Sequence, residues 1–372
     1  MSAIIPFLPL FIRELGVTEL KEVAYWSGLI YAAPFLTSFF MQPVWGILGD
    51  KFGRKPMAAR ALFGLGLAQI MIYFAPGVVS LFIIRLFQGM LSGFNIAAMS
   101  LIASSFPKER VSYSMSMLQS ALNGGIILGP FIGGTLAELF GFRFVFLFAG
   151  LILLILGVVV MISVTEYKSD DLTKLESSLI QNLKYIFNSK AILFASVIIL
   201  ITSLGLSLLR PVFVLYVETF NIHPKLLTTY AGGLYSIAGL FSTISSIMVA
   251  KRIDVFGPRK LLLISSAGAG IMYICHYFVQ DIYLLIPVRI LLGAFYGIIT
   301  PTLFIIINNH VTPSRKSGII SIGSSFQILG IVIGSISSGT IVGIFGIKES
   351  FIIAGFCFLL INLIYLFKRK SI

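Results

Sequence analysis

A chain of 372 residues in which 58% are apolar and only 11% charged cannot clothe a water-facing surface, because a soluble domain carries about 25% charged residues. Its mean hydropathy of +1.01 points to lipid as the solvent for most of its area. The formal net charge of +13 therefore is no nucleic-acid footprint until the charges are located, and Cys275 and Cys357, both inside apolar runs, offer no disulfide framework or metal cluster.

Met1 to Ile12 is apolar but too short to cross a bilayer, which takes roughly 20 helical residues. Runs of sufficient length follow near 23–49, 57–76, 78–105, 111–138 and 142–164, then near 190–217, 226–250, 260–280, 282–308, 316–345 and 347–367. With the opening stub counted as the first, these make twelve predicted spans, eleven of them complete. Alternate loops hold 19 of the 27 Lys and Arg, beginning with Lys51, Arg54, Lys55 and Arg60. The opposite loops hold Arg13, Lys21, Arg143, Lys225 and Lys348. The positive-inside rule then makes the basic loops and the C-terminus cytoplasmic. Between spans six and seven, Leu172, Leu175, Leu179, Leu183 and Ile186 recur at helical spacing among polar residues, as in a helix lying on the membrane surface.

The second half repeats the first. Asp50, Gly53, Arg85 and Gly89 match Asp254, Gly257, Arg289 and Gly293 at an offset of 204, and Gly129, Gly134, Gly141 and Gly150 match Gly334, Gly339, Gly346 and Gly355 at 205. Register held over five spans implies two six-helix bundles in the same orientation. The expected organisation is a bundle over 1–165, a linker over 166–189 and a second bundle over 190–372. Pro6 lies over Pro211, so the repeat predicts that the first span lacks its opening turns.

Polar residues inside spans are costly and mark function. Arg85, Gln88, Ser92, Asn95 and Met99 are spaced as one face of span four, and Arg289, Gly293, Tyr296 and Thr300 as one face of span ten. Span seven offers Ser203, Ser207, Arg210 and Glu218. The expected cavity is built from Asn95, Gln119, Asn123, Arg210, Tyr235, Arg289 and Tyr296. No acid lies deep in a complete span. Glu138 and Glu218 near span ends are the candidate proton-binding carboxylates, with His276 and His310 as other titratable groups. No H-E-x-x-H, G-x-S-x-G or intramembrane acidic pair suggests an enzyme or a metal site.

The loop after span two reads GILGDKFGRK, with Gly46, Asp50, Lys51, Gly53, Arg54 and Lys55 at fixed spacing. Span five reads GIILGPFIGG, with Gly125, Gly129, Pro130, Gly133 and Gly134; the glycines suit close packing and the proline a bend. With Arg85-x-x-Gln88-Gly89, these resemble the motifs of the major facilitator superfamily, and the span-five pattern resembles its drug:proton antiporter branch. That resemblance implies an all-α membrane fold. It makes 46–55 a gate that latches the cytoplasmic side, and it assigns proton coupling to Arg85 and Gln88. Asp50 can pair with nearby cations or meet a helix start such as that at Ser317. The expected activity is export of amphiphilic, cationic or neutral drug-like compounds in exchange for protons across a bacterial cell membrane. It would be carried out by a monomer that needs no cofactor beyond the proton gradient. Export of an endogenous metabolite, such as a sugar or a siderophore, is the other reading.

Overall fold

The computed structural model describes residues 3–106, 108–166, 185–250, 256–309, 311 and 316–367. Among them it is helical with no strand, in the order α1 (Leu8–Glu14), α2 (Leu20–Phe52), α3 (Arg54–Tyr73), α4 (Val78–Met90), α5 (Phe94–Ser105), α6 (Lys108–Phe140) and α7 (Phe142–Ser163). The second half supplies α8 (Lys190–Leu209), α9 (Phe213–Glu218), α10 (Leu227–Ala250), α11 (Pro258–Phe278), α12 (Ile282–Asn309), α13 (Lys316–Phe345) and α14 (Ile347–Phe367). Eleven stretches are long and apolar enough to cross a bilayer, with α4–α5 forming one and α8–α9 another. The protein is a multi-pass membrane protein. The surface helix expected in the linker falls largely on 167–184, and Asp254 and His310 fall with it outside the described residues.

Backbone polar groups in lipid must be satisfied internally, so helix ends mark where something else satisfies them. Gly53 and its repeat mate Gly257 stand at φ +99° and +73° immediately before α3 and α11, a conformation that a side chain would strain. Span four departs from the expected single helix over 78–105. It breaks at 91–93, where Gly93 adopts φ +120°. The freed carbonyls find donors on neighbouring helices. Trp45 Nε1 donates to Met90 O at 2.7 Å, and Arg60 donates to Leu91 O at 3.2 Å and to Ser92 O at 3.3 Å. The Arg60 guanidinium also lies 3.4 Å from the Trp45 ring centroid. The counterpart in the second half, α12, runs unbroken from Ile282 to Asn309.

Packing repeats with the sequence. Helix α3 packs on α7, and α11 on α14. At the first crossing, a Cβ on Gly66 would stand 3.0 Å from Gly150 O, and one on Gly150 would stand 2.9 Å from Gly66 O. At the second the same reciprocal pair is Gly270 and Gly355, at 2.9 and 2.8 Å. Gly89 of α4 backs onto the Pro34 carbonyl of α2, and Gly293 of α12 onto the Ala238 carbonyl of α10. Small residues let helix backbones touch where lipid supplies no hydrophobic drive between helices. The two bundles meet along two seams, α2 against α13 and α6 against α10.

Candidate functional site

Both seams are tight at the end opposite the basic loops. Gly28 packs against the Ser335 carbonyl, and Gly339 against the backbone of Tyr25. On the other seam, a Cβ at Gly134 would stand 2.6 Å from Thr228 O and 3.0 Å from the Phe7 ring, and Gly232 abuts the Pro130 carbonyl. Gly133 is covered by the backbone of Ala3. Three members of the span-five motif, Pro130, Gly133 and Gly134, thus form the point where spans one, five and eight converge. Towards the basic loops the seam loosens among the described residues. Gly239 has its nearest described neighbour, Ile127, at 3.6 Å, and no described atom lies within 4 Å of a Cβ at Gly124. Gly129 sits between the tight and open parts of α6.

Polar contacts reinforce the closed end. Glu138 of α6 accepts from the Thr229 N–H at 3.0 Å and from its hydroxyl at 2.6 Å. Arg13 at the end of α1 bridges Glu218 at the end of α9 at 2.7 Å, with side chains 30% and 41% exposed. A half-exposed pair contributes up to about 1 kcal/mol, enough to move a two-state balance about fivefold. Arg13→Glu or Glu218→Arg alone should therefore slow maleimide labelling of a Gly124→Cys reporter from the basic-loop end about fivefold. The reporter would replace Cys275 and Cys357 by serine, and the R13E/E218R double exchange should restore the rate.

Between the seams lies a cavity of about 260 Å³. Asn123, Arg210, Tyr235, Arg289 and Tyr296 all line it. Gln119 lies one turn along α6, exposed, and donates to Asn123 Oδ1 at 3.2 Å. Asn95 is exposed on α5, beyond the break, and is not part of this lining. Phe213, Tyr273, Ser242 and Thr243 also face the cavity and were not expected. Ser242 had a legible signal, since Tyr235, Gly239 and Ser242 follow a 4-3 helical spacing.

Arg210 stands where span seven leaves the α-helix, in a 3₁₀ turn over Arg210–Val212 that holds Pro211. Its Nη1 faces the Tyr31 hydroxyl of the first bundle at 3.5 Å, and its Nε has no partner among the described residues. Arg289 donates from Nε to Leu234 O at 3.2 Å and lies 4.2 Å from the Phe213 ring centroid and 5.6 Å from that of Tyr235. Arg85 donates from Nε towards Ile30 O at 3.4 Å and from Nη1 to Gln88 Oε1 at 2.8 Å. Both repeat-related arginines thus reach back 55 residues to repeat-related carbonyls. Arg85 and Gln88 are together, whereas Glu138 and Glu218 sit in separate contacts at the closed end.

His276 is fully buried, with Nδ1 2.7 Å from Met272 O and its ring stacked on Phe351 at 4.8 Å and 11°.

The 46–55 motif forms one cluster at the basic end. Glu166, at the close of span six, accepts from the N–H groups of Arg54 at 2.7 Å and Lys55 at 3.0 Å, capping the start of α3. Gly53 leaves the room, since a Cβ there would come within 2.9 Å of Glu166 Oε2. Arg54 donates to Ser100 O on α5 at 2.9 Å. Lys51 lies 5.4 Å from the Phe52 ring centroid. These partners all belong to the first half. The Asp50 and Ser317 side chains are outside the described residues.

The sequence profile described as Major Facilitator Superfamily matches residues 1–254 and 196–371. The chain is 33% identical over 370 residues to a multi-drug resistance efflux pump PmrA homolog of Lactococcus lactis, covering 98% of this chain and 90% of that protein. It is 29% identical over 365 residues to the multidrug resistance protein MdtG of Escherichia fergusonii, covering 98% and 89%. Among solved structures, a bacterial homolog of the human lysosomal transporter Spinster, in an inward-facing and occupied conformation, superposes with a TM-score of 0.84 at 12% identity, covering 100% of this chain and 93% of that one. The nucleoside transporter NupG gives 0.80 at 13%, covering 100% and 95%. At such identities the structures speak for the fold alone. The repeated bundles, their glycine crossings and the cavity between them are those of a transporter rather than an enzyme, and the chain belongs to the Major Facilitator Superfamily.

Proposed function

We propose that this chain exports amphiphilic organic compounds across a bacterial cell membrane in exchange for protons, with its basic loops and C-terminus on the cytoplasmic side. The observation that carries the reading is the asymmetry of the seams among the described residues, sealed at one end and open over the cavity at the other. In the proposed orientation this state takes substrate from the cytoplasm. Residues 1–165 and 190–372 then rock as two bodies about the cavity, joined by 166–189, and a single chain suffices. The names of the relatives, multidrug resistance protein and efflux pump, support export of drug-like compounds.

Proton coupling would divide between two places. Glu138 and Glu218 both make contacts that hold the closed seam, which makes them the proposed carriers. Arg85 fixes a positive charge at membrane depth, and among the described residues no carboxylate lies within ion-pair range of it. Protons pass that charge only when Arg85 changes partners, which ties their passage to a change of state. Cells preloaded with a fluorescent amphiphile and then energised should lose it faster with the chain than without it. A protonophore should bring that rate down to that of cells lacking the chain. Efflux that continued undiminished would remove proton exchange from the reading.

A further inference from the structure

The cavity carries two guanidinium groups and, among its lining residues, no carboxylate. Both sit in the second bundle, Arg210 at the break of span seven and Arg289 in α12, and among the described residues neither has an acid within ion-pair range. Their partners are neutral: the Tyr31 hydroxyl, the Leu234 carbonyl and the faces of Phe213 and Tyr235. Arg289 is 7% exposed, and the buried Nε of Arg210 has no partner among the described residues. Neutral oxygens and ring faces offset the cost of bringing a guanidinium to membrane depth, but they leave its charge in place. Two such charges on one cavity wall repel a permanent cation and attract an anion, and guanidinium geometry matches a carboxylate or sulfonate with paired donors. Around them Leu206, Leu209, Leu292 and Tyr273 form an apolar surface.

We propose that the cavity takes organic monoanions, with a carboxylate or sulfonate held at Arg210 and Arg289 and an aromatic or aliphatic body against Phe213, Tyr273 and the leucines. This gives a substrate class to the export reading above, with anions in place of the cationic or neutral compounds expected from sequence. An inside-negative membrane potential would assist the exit of such a substrate.

Binding separates this inference from transport. The full chain in lipid nanodiscs would be titrated by calorimetry, against empty nanodiscs, with three probes. These are 8-anilinonaphthalene-1-sulfonate, the neutral N-phenyl-1-naphthylamine that shares its rings but lacks the sulfonate, and the cation ethidium. The sulfonate should bind about a hundredfold more tightly than its neutral parent, as two charge-assisted contacts of about tenfold each provide, and ethidium should not displace it. Arg210→Gln and Arg289→Gln should each remove about tenfold of sulfonate affinity while leaving the neutral probe within about twofold, and the lysine variants should restore part of the loss. Equal binding of sulfonate and parent by the unaltered chain overturns the proposal, as does displacement by ethidium, whether or not any variant folds. Anion selectivity without energised efflux would sink the export reading and leave this one standing. Efflux with indifferent binding would do the reverse.

Discussion

Arg85→Ala should reduce energised efflux to the background of cells lacking the chain while leaving its amount in the membrane close to normal. Arg85 donates to Gln88 Oε1 at 2.8 Å on its own helix and towards Ile30 O on α2. Truncation withdraws a donor from each oxygen, a loss of about 1–3 kcal/mol where a group is left unsatisfied. That is tolerable for a chain with eleven apolar spans packed through reciprocal glycine contacts. The loss to transport is larger because no other described cation stands at that depth in the first bundle. Arg289 and Arg210 belong to the second bundle and cannot replace it. Lysine at 85 keeps the charge but not the fork that reaches two oxygens, so it should give intermediate rates. Initial efflux rates normalised to membrane protein measure both effects. Full efflux by the alanine variant would strip Arg85 of its part in coupling.

Gly339→Leu should abolish efflux by a different route. A Cβ at Gly339 runs into the backbone of Tyr25 and stands 2.8 Å from Ala24 O, and backbone cannot swing aside as a side chain can. Overpacking of this kind costs about 1–3 kcal/mol or more, and all of it falls on the state in which this seam is shut. The balance should shift about tenfold to a hundredfold towards the state open at that end. Labelling of the Gly124→Cys reporter from the basic-loop end should then fall by the same factor. Gly343→Leu, one turn further along α13, supplies the control. Its nearest neighbour is the Lys21 side chain at 3.8 Å, which can move. Transport and labelling should persist there.

The spans were legible because the bilayer imposes length and hydropathy on each of them, and the repeat because both bundles solve the same packing problem. Gly66, Gly89 and Gly150 recur as Gly270, Gly293 and Gly355 since each meets another helix's backbone. The break in span four was not legible. Gly93 is one glycine in an apolar run, and the donors that stabilise the break, Trp45 and Arg60, lie 45 and 32 residues away from the carbonyls they serve. Reading 78–105 as one continuous helix put Asn95 on the Arg85 face, whereas the turn at 91–93 gives α5 its own direction. Charged and amide residues announced three positions of the cavity, Asn123, Arg210 and Arg289, by their rarity in spans. Phe213 and Tyr273 carried no such flag, because among 33 Phe and 14 Tyr most ring-bearing residues meet lipid or protein core.

The bridge between Arg13 and Glu218 joins residues 205 apart, which is the offset of the repeat itself in that stretch. Each partner therefore occupies the place in its own bundle that the other occupies in its neighbour, and the contact lies on the pseudo-twofold axis. Two identical bundles would set like against like at that point, arginine on arginine or glutamate on glutamate. A freshly duplicated ancestor, or a dimer of one bundle with its copy, could not make this bond. The clasp is a product of divergence. It also means that the protein needs one bundle of each kind, since each now carries one sign of a lock that neither can close with a second copy of itself.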